Sequence, residues 1–291
     1  MLASTVDITR SIRRVRGGSQ AYLVEGHDGH TYIAKFKSNP QGTRTLVNEW
    51  IADWFFRALG ITTPEIRLLR LSENMIGQAD FHFQVGSRRV SVGPGLHLGS
   101  QCPANPNERA IFDFLPDTCL GLVSNLDDFG KALVPDVLLG QTDARQAVFI
   151  RDRSSKNHKP IRAYLIDHGL MFGGSRWIFE DPTSSPYNMH AAAYSLIDLN
   201  AICSATVELA KSLAATDLFP ILQGIPAEWL EGDDRQELGR LIQQLFRRLD
   251  RLEKLVRTHV QLILRRGEDH TRSPGGPAVR PHIGAPIACG S

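Results

Sequence analysis

Near Pro103 the hydrophobic pattern of this chain changes from short alternating runs to helical spacing, so its two parts require different architectures. Before that point, Gln20 to Glu25 and Thr31 to Lys37 flank the turn His27-Asp28-Gly29-His30. Asp-Gly between apolar, β-branched and aromatic residues predicts a hairpin. From Thr43 the residues Leu46, Val47, Trp50, Ile51, Trp54, Phe55 and Leu59 recur at helical spacing, and Gly60 is placed to close the helix in a left-handed cap. Glu65 to Leu71 and Asp80 to Val85 read as further strands.

After Pro103, helical segments are expected near Ile111 to Leu115 and at Asp127 to Leu139. The apolar runs Ala147 to Ile150 and Ala163 to Ile166, separated by polar Arg151 to Lys159, read as a second hairpin. Beyond Met189 the chain reads as helical. Leu241, Leu245, Leu249, Leu252, Val256, Val260 and Ile263 trace one face of a single long helix, with Asp233, Asp234 and Glu237 suited to its first turn. Gly267 to Ser291 holds five Gly and four Pro with no periodicity, and reads as disordered. The pattern predicts an α+β protein of two lobes: a β-rich lobe with one helix over 1–103, a mainly helical lobe over 104–266, and a tail over 267–291. At 291 residues each lobe is long enough to bury a core, and two lobes imply a cleft.

The charge balance of 33 Lys+Arg against 31 Asp+Glu argues against a whole-chain field for nucleic acid or membrane. Arg235 to Arg266 is locally basic, with nine Lys+Arg against three Asp+Glu, which a solvated helix face accounts for. Cys102, Cys119, Cys203 and Cys289 lie at none of the close spacings of zinc or redox motifs and read as free thiols. No apolar run reaches the about 18 residues of a membrane span. The expected location is the cytoplasm.

Four places can carry chemistry. Lys35 sits in the strand Tyr32-Ile33-Ala34-Lys35-Phe36, where its ammonium can serve phosphate oxygens as a point charge or lie on an open strand edge. Arg16, Gly17, Gly18 and Ser19 just before the hairpin can cradle phosphates through backbone amides, or form a plain turn. Glu49, among the apolar residues of the first helix, needs a cation if buried, and Lys35 is the obvious one. Asp143, in Gly140 to Gln146, can be a base or metal ligand before a buried strand, or cap its own turn. Asp167, directly after the strand ending at Ile166, is placed to hold a divalent cation on phosphate oxygens, while His168 reads as a satisfied loop histidine.

The order Lys35, Glu49, Asp143, Asp167 resembles the HipA-like kinases, a bacterial branch of the protein-kinase-like fold. Stretches that carry the likeness are Tyr32 to Gln41 with its Asn-Pro-Gln, Leu46 to Trp50, Gly95-Leu96-His97-Leu98-Gly99-Ser100, Thr142 to Phe149 and Ile166 to Gly169. The resemblance implies a two-lobed kinase fold with ATP between the lobes. Lys35 would contact the phosphates and pair with Glu49, and Asp143 would accept the proton of the acceptor hydroxyl. Asp167 would bind Mg²⁺, and Arg16 to Ser19 would belong to the loop that covers the phosphates, without a full Gly-x-Gly-x-x-Gly. The family pattern commonly places a metal-binding asparagine five residues after the catalytic aspartate. Here that position is Val148, Gln146 is the nearby polar side chain, and Arg145 is expected to order the loop through Asp143. The expected activity is an ATP- and Mg²⁺-dependent serine/threonine protein kinase with a hydroxyl-bearing protein acceptor, open to a regulatory partner. A nucleotide- or partner-binding pseudokinase and a small-molecule kinase are the alternatives.

Overall fold

The computed structural model describes residues 5–106, 109–151, 158–181, 191–213 and 218–272. Strands β1 (Thr5–Arg14), β2 (Tyr22–Gly26) and β3 (Thr31–Lys35) lead into α1 (Arg44–Ala58) and β4 (Ile66–Leu71). A short helix α2 (Glu73–Gln78) and the hairpin β5 (His82–Val85) and β6 (Arg88–Ser91) precede β7 (Gly95–Gln101). The strands β1, β2, β3, β7 and β4 close a barrel in that order, with β1 parallel to β4 at the seam. Closure removes the open strand edge that would have made Lys35 a plain surface lysine. Inside, Val6, Ile8, Tyr22, Val24, Tyr32, Phe36 and Leu69 pack with Phe81 and Phe83 of the hairpin region.

The second part begins with the two-residue strand β8 (Ile111–Phe112), then α3 (Asp127–Leu139), β9 (Gln146–Arg151) and β10 (Ile161–Ile166). The expected helix near Ile111 to Leu115 is absent. Ile111 and Phe112 instead pair with Ile150 and Phe149 of β9, because β-branched and aromatic residues at an open edge gain more from the ladder than from one isolated helical turn. Helices α4 (Leu199–Leu213), α5 (Leu218–Gln223), α6 (Asp234–Leu249) and α7 (Leu252–Arg272) complete the chain. The single long helix expected over the Leu241 to Ile263 face is two helices, broken at Asp250 and Arg251. There the buried Arg248 and the exposed Arg251 both engage Asp181, which turns the chain before fully buried Leu252 restarts it. Helix α7 continues to Arg272, past the boundary expected at Arg266, since one glycine costs a helix only about 1 kcal/mol. The expected tail beyond 272, Cys289 and the turn at 152–157 lie outside the described residues.

Helix α1 belongs to the second part's core as much as to the barrel. Leu46, Val47, Ile51, Phe55 and Phe56 pack in one cluster with Phe129, Leu133 and Val137 of α3 and with Phe149 and Leu165 of the β9–β10 pair. Burial on nearly all sides takes its polar residues Asn48, Glu49 and Asp53 inside as well, and each then needs a partner. Among the described residues Cys102, Cys119 and Cys203 are free, and no helix is long and apolar enough to cross a membrane.

Candidate active site

Strand alternation aims Lys35. In β3, Tyr32 and Ala34 are buried in the barrel, so Lys35 faces outward onto α1. Its Nζ donates to Glu49 Oε1 at 2.7 Å and to Asp167 Oδ1 at 2.9 Å, uniting three residues of widely separated sequence. Burial would pull this ammonium down, yet the two carboxylates outweigh it and hold it above its ordinary value. Burial pushes Glu49 above the usual carboxylate range against the pull of Lys35, whereas Lys35 holds the more open Asp167 below it. Glu49 Oε1 also accepts the backbone N–H of His168 at 3.3 Å, and Glu49 Oε2 is buried without a hydrogen bond.

Asp167 follows β10 with φ of +63°, a left-handed conformation uncommon for a non-glycine residue and held here by its surroundings. Arg145 Nη1 donates to the carbonyl of Ile166 at 2.9 Å and of Asp167 at 3.4 Å, and the amide of Gln141 reaches the latter oxygen at 3.4 Å. Gln146, opposite Ile166 at the start of β9, places its Nε2 3.5 Å from Asp167 Oδ2. Val148 pairs with Tyr164, one side-chain repeat further from the site. Buried Asn48, beside Glu49 on α1, donates to the carbonyls of Gly169, Met171 and Gly174 and so ties the Asp167 loop to the helix.

Asp143 stands apart from this cluster. It is exposed, and its Oδ1 accepts the N–H of Ala144 at 2.7 Å, which is the turn-capping role. Arg145 does not order the loop through Asp143 as expected. Its fully buried guanidinium forks onto Asp136 of α3 and donates to His168 Nδ1 at 2.9 Å, making that ring an acceptor and agreeing with a satisfied loop histidine. Burial, then the cations Arg145 and Lys35, keep His168 well below its ordinary value and hence neutral. Asp136 and Asn48 escaped the sequence reading, although a charged or amide side chain within an apolar helical run is itself a signal of a buried partner.

Gly17, Gly18 and Ser19 form the turn between β1 and β2, where Gln20 N–H bonds to the carbonyl of Gly17 at 3.2 Å. The turn lies on the Asn-Pro-Gln loop: a Cβ on Gly18 would meet the Gln41 amide at 2.8 Å. Among the described residues no three of His, Cys, Asp and Glu gather to hold a metal ion. A divalent cation at Asp167 would take most of its oxygens from water or a ligand, as Mg²⁺ does when it is bound by one or two carboxylates and nucleotide phosphates.

A search of curated proteins finds no match. Among solved structures, the Helicobacter pylori proinflammatory kinase CtkA matches at TM-score 0.52 and 12% identity, over 87% of this chain and 98% of that one. The Golgi casein kinase matches at TM-score 0.47 and 14% identity, over 90% of this chain and 73% of that one. The same kinase with Mn/ADP bound matches at TM-score 0.44 and 12% identity, over 89% and 72%. The likeness to CtkA establishes a protein-kinase-like α+β fold, and residues 7–101, the barrel with Lys35 and Glu49, match the family model of the HipA-like kinases.

Proposed function

We propose that the protein is an ATP- and Mg²⁺-dependent phosphotransferase acting on a serine or threonine hydroxyl of a protein acceptor in the cytoplasm. The observation that carries the reading is the Lys35 ammonium bonded to both Glu49 and Asp167 where the barrel meets the second part. The trio is similar to the lysine, helix carboxylate and metal-binding aspartate of the protein-kinase-like fold, which supports the reading. Lys35, oriented by Glu49, would bind phosphate oxygens, and the Gly17 to Ser19 turn would cover them with backbone amides. Asp167 would hold the cation, with the Gln146 amide beside it, and Mg²⁺ when bound neutralises charge on the phosphate oxygens. Asp143 would accept the acceptor proton as the hydroxyl oxygen bonds to the γ-phosphorus and the bond to ADP breaks. The exposed position of Asp143 suits contact with an incoming macromolecule.

A second reading, nucleotide binding without turnover, has its own support. Asp143 caps Ala144, and Val148 offers no oxygen where the family pattern commonly places one. The two readings separate by comparing Asp143→Ala with Asp167→Ala, using melting temperature with ATP and Mg²⁺ and transfer from labelled ATP. The expected result is that Asp143→Ala keeps the nucleotide-induced stabilisation and loses transfer, while Asp167→Ala loses both. Stabilisation of the wild type with no transfer to any acceptor decides for the pseudokinase. Absence of stabilisation at millimolar ATP removes both readings.

A further inference from the structure

The first half of α1, which carries Glu49, is held by a segment far along the chain. Arg44 forks onto Asp234 at the start of α6, its Nε and Nη2 lying 2.9 and 2.6 Å from one carboxylate oxygen. The Trp50 indole N–H donates to the carbonyl of Ile221 in α5 at 3.0 Å, and its ring meets Trp229 edge to face, with centroids 6.2 Å apart. The same segment grips the barrel. Trp229, fully buried, donates its indole N–H to the carbonyl of Leu96 at 2.8 Å, and Glu228 Oε1 accepts the N–H of Leu96 at 3.0 Å. Glu228 Oε2 pairs with Lys37, two residues beyond Lys35. Leu96 lies in β7 two residues before Leu98, the register partner of Lys35.

The recess for Glu228 is shaped by Gly95, whose φ is +125° and on which a Cβ would run into Glu228 Oε2 and lie 2.7 Å from the Lys37 ammonium. A side chain there would evict the carboxylate. One stretch, 221–234, thus holds the helix bearing Glu49 and the strands bearing Lys35 in a fixed relation.

We propose that 221–234 is an intramolecular latch that positions Glu49 on Lys35, with Glu228 and Trp229 as its positioning residues. The inference rests on the proposed role of the Lys35–Glu49 pair and adds what keeps that pair assembled. The Lys37–Glu228 pair is partly open to solvent, with side chains 24% and 35% exposed, whereas Trp229 is fully buried, so the ion pair can break while the indole keeps the segment seated.

The test reads the Lys35–Glu49 contact itself, without nucleotide. A water-soluble carbodiimide activates a carboxylate, a neighbouring lysine amine displaces the urea, and the resulting amide is located by peptide mass spectrometry in the full chain, with melting temperature as the folding control. Lys35 has two carboxylates within reach, Glu49 from α1 and Asp167 from the loop after β10. The ratio of the Lys35–Glu49 product to the Lys35–Asp167 product at one fixed pH therefore reports where Glu49 sits and cancels the reactivity of the shared amine. Glu228→Ala and Gly95→Ala are expected to lower that ratio several-fold. Glu228→Gln, which keeps shape but loses charge, and Trp229→Phe, which keeps the ring but loses the N–H, should lower it less. Glu49→Gln should abolish the first product and keep the second, which checks the assignment. A wild-type ratio in Glu228→Ala and Gly95→Ala, with both variants folded, overturns the latch. If wild type binds no ATP yet the latch variants lower the ratio, the kinase reading falls and the latch stands.

Discussion

Two ionic clusters lie side by side in this protein, and they differ in what they leave unfinished. Arg145 and Asp136 are sealed, with side chains 1% and 3% exposed, and the guanidinium spends its remaining N–H groups on Ile166, Asp167 and His168. Lys35 and Glu49 are nearly as deep, but their third member Asp167 is 36% exposed. Among the described residues Glu49 Oε2 has no hydrogen-bond partner, and Asp167 Oδ2 has only a 3.5 Å contact from Gln146. A closed set of charges is scaffold, since each member already has what it needs. An open set retains capacity for a ligand, and the scaffold's task is to hold Asp167 in its left-handed turn for that ligand.

The largest effect should come from breaking the sealed cluster. Arg145→Ala strands a buried carboxylate on Asp136 and frees two carbonyls around Asp167, so a loss of about 3–5 kcal/mol is expected from denaturant unfolding. Pairing it with Asp136→Leu should recover most of that loss, because the cost lies in the unpaired charge rather than in the missing bond. A single-variant loss below about 1 kcal/mol would mean that water reaches Asp136 and that the contrast between the clusters does not exist.

Lys35→Met is the matching cut in the open cluster. It should cost less, about 1–2 kcal/mol, because Asp167 can turn to solvent and Glu49, already pushed up by burial, can take a proton. The same variant should lack the stabilisation by ATP and Mg²⁺ expected of the wild type in a melting experiment. A stability loss equal to that of Arg145→Ala, with nucleotide stabilisation intact, would make Lys35 a second structural pin.

What could be read in the sequence divides along similar lines. The Asp28-Gly29 hairpin, α1 with its Gly60 cap, α3 and the two strands around Asp167 follow from local pattern, and each lies where expected. The pairing of Lys35 with Glu49 is also legible, because a buried carboxylate on a helix following a lysine strand has few other partners, whereas the contact of Lys35 with Asp167 joins residues far apart in sequence and is seen only in the fold. Strand β1 did not, since its arginines hide the alternation of Val6 and Ile8, and only pairing with β2 and β4 makes it a strand. Nor did the break at Asp250, which Asp181 stabilises from across the fold. Arg145 reads in sequence as ordering its loop through Asp143, but its partner Asp136 lies in the last turn of α3, the helix just before that loop, and only the tertiary arrangement reveals the pair.

The smallest expected effect sharpens the open side of the comparison, where a second donor for the proposed cation is in question. Family spacing points to position 148, but β9 pairs Val148 with Tyr164 and Gln146 with Ile166, so Gln146 is the side chain at the strand end beside Asp167. Position 148 lies about 7 Å further along the strand on the same face. Gln146→Ala should therefore raise the Mg²⁺ concentration for half-maximal transfer about tenfold, as loss of a supporting group around a metal ligand commonly does. Val148→Asn should lower it by about twofold at most, since an amide there must reach back along the strand. Both variants should melt close to wild type, because neither position is fully buried. The measurement is a Mg²⁺ titration of transfer at saturating ATP. A large fall for Val148→Asn together with no change for Gln146→Ala would reverse the assignment, and would place the missing oxygen where the spacing, rather than the strand register, puts it.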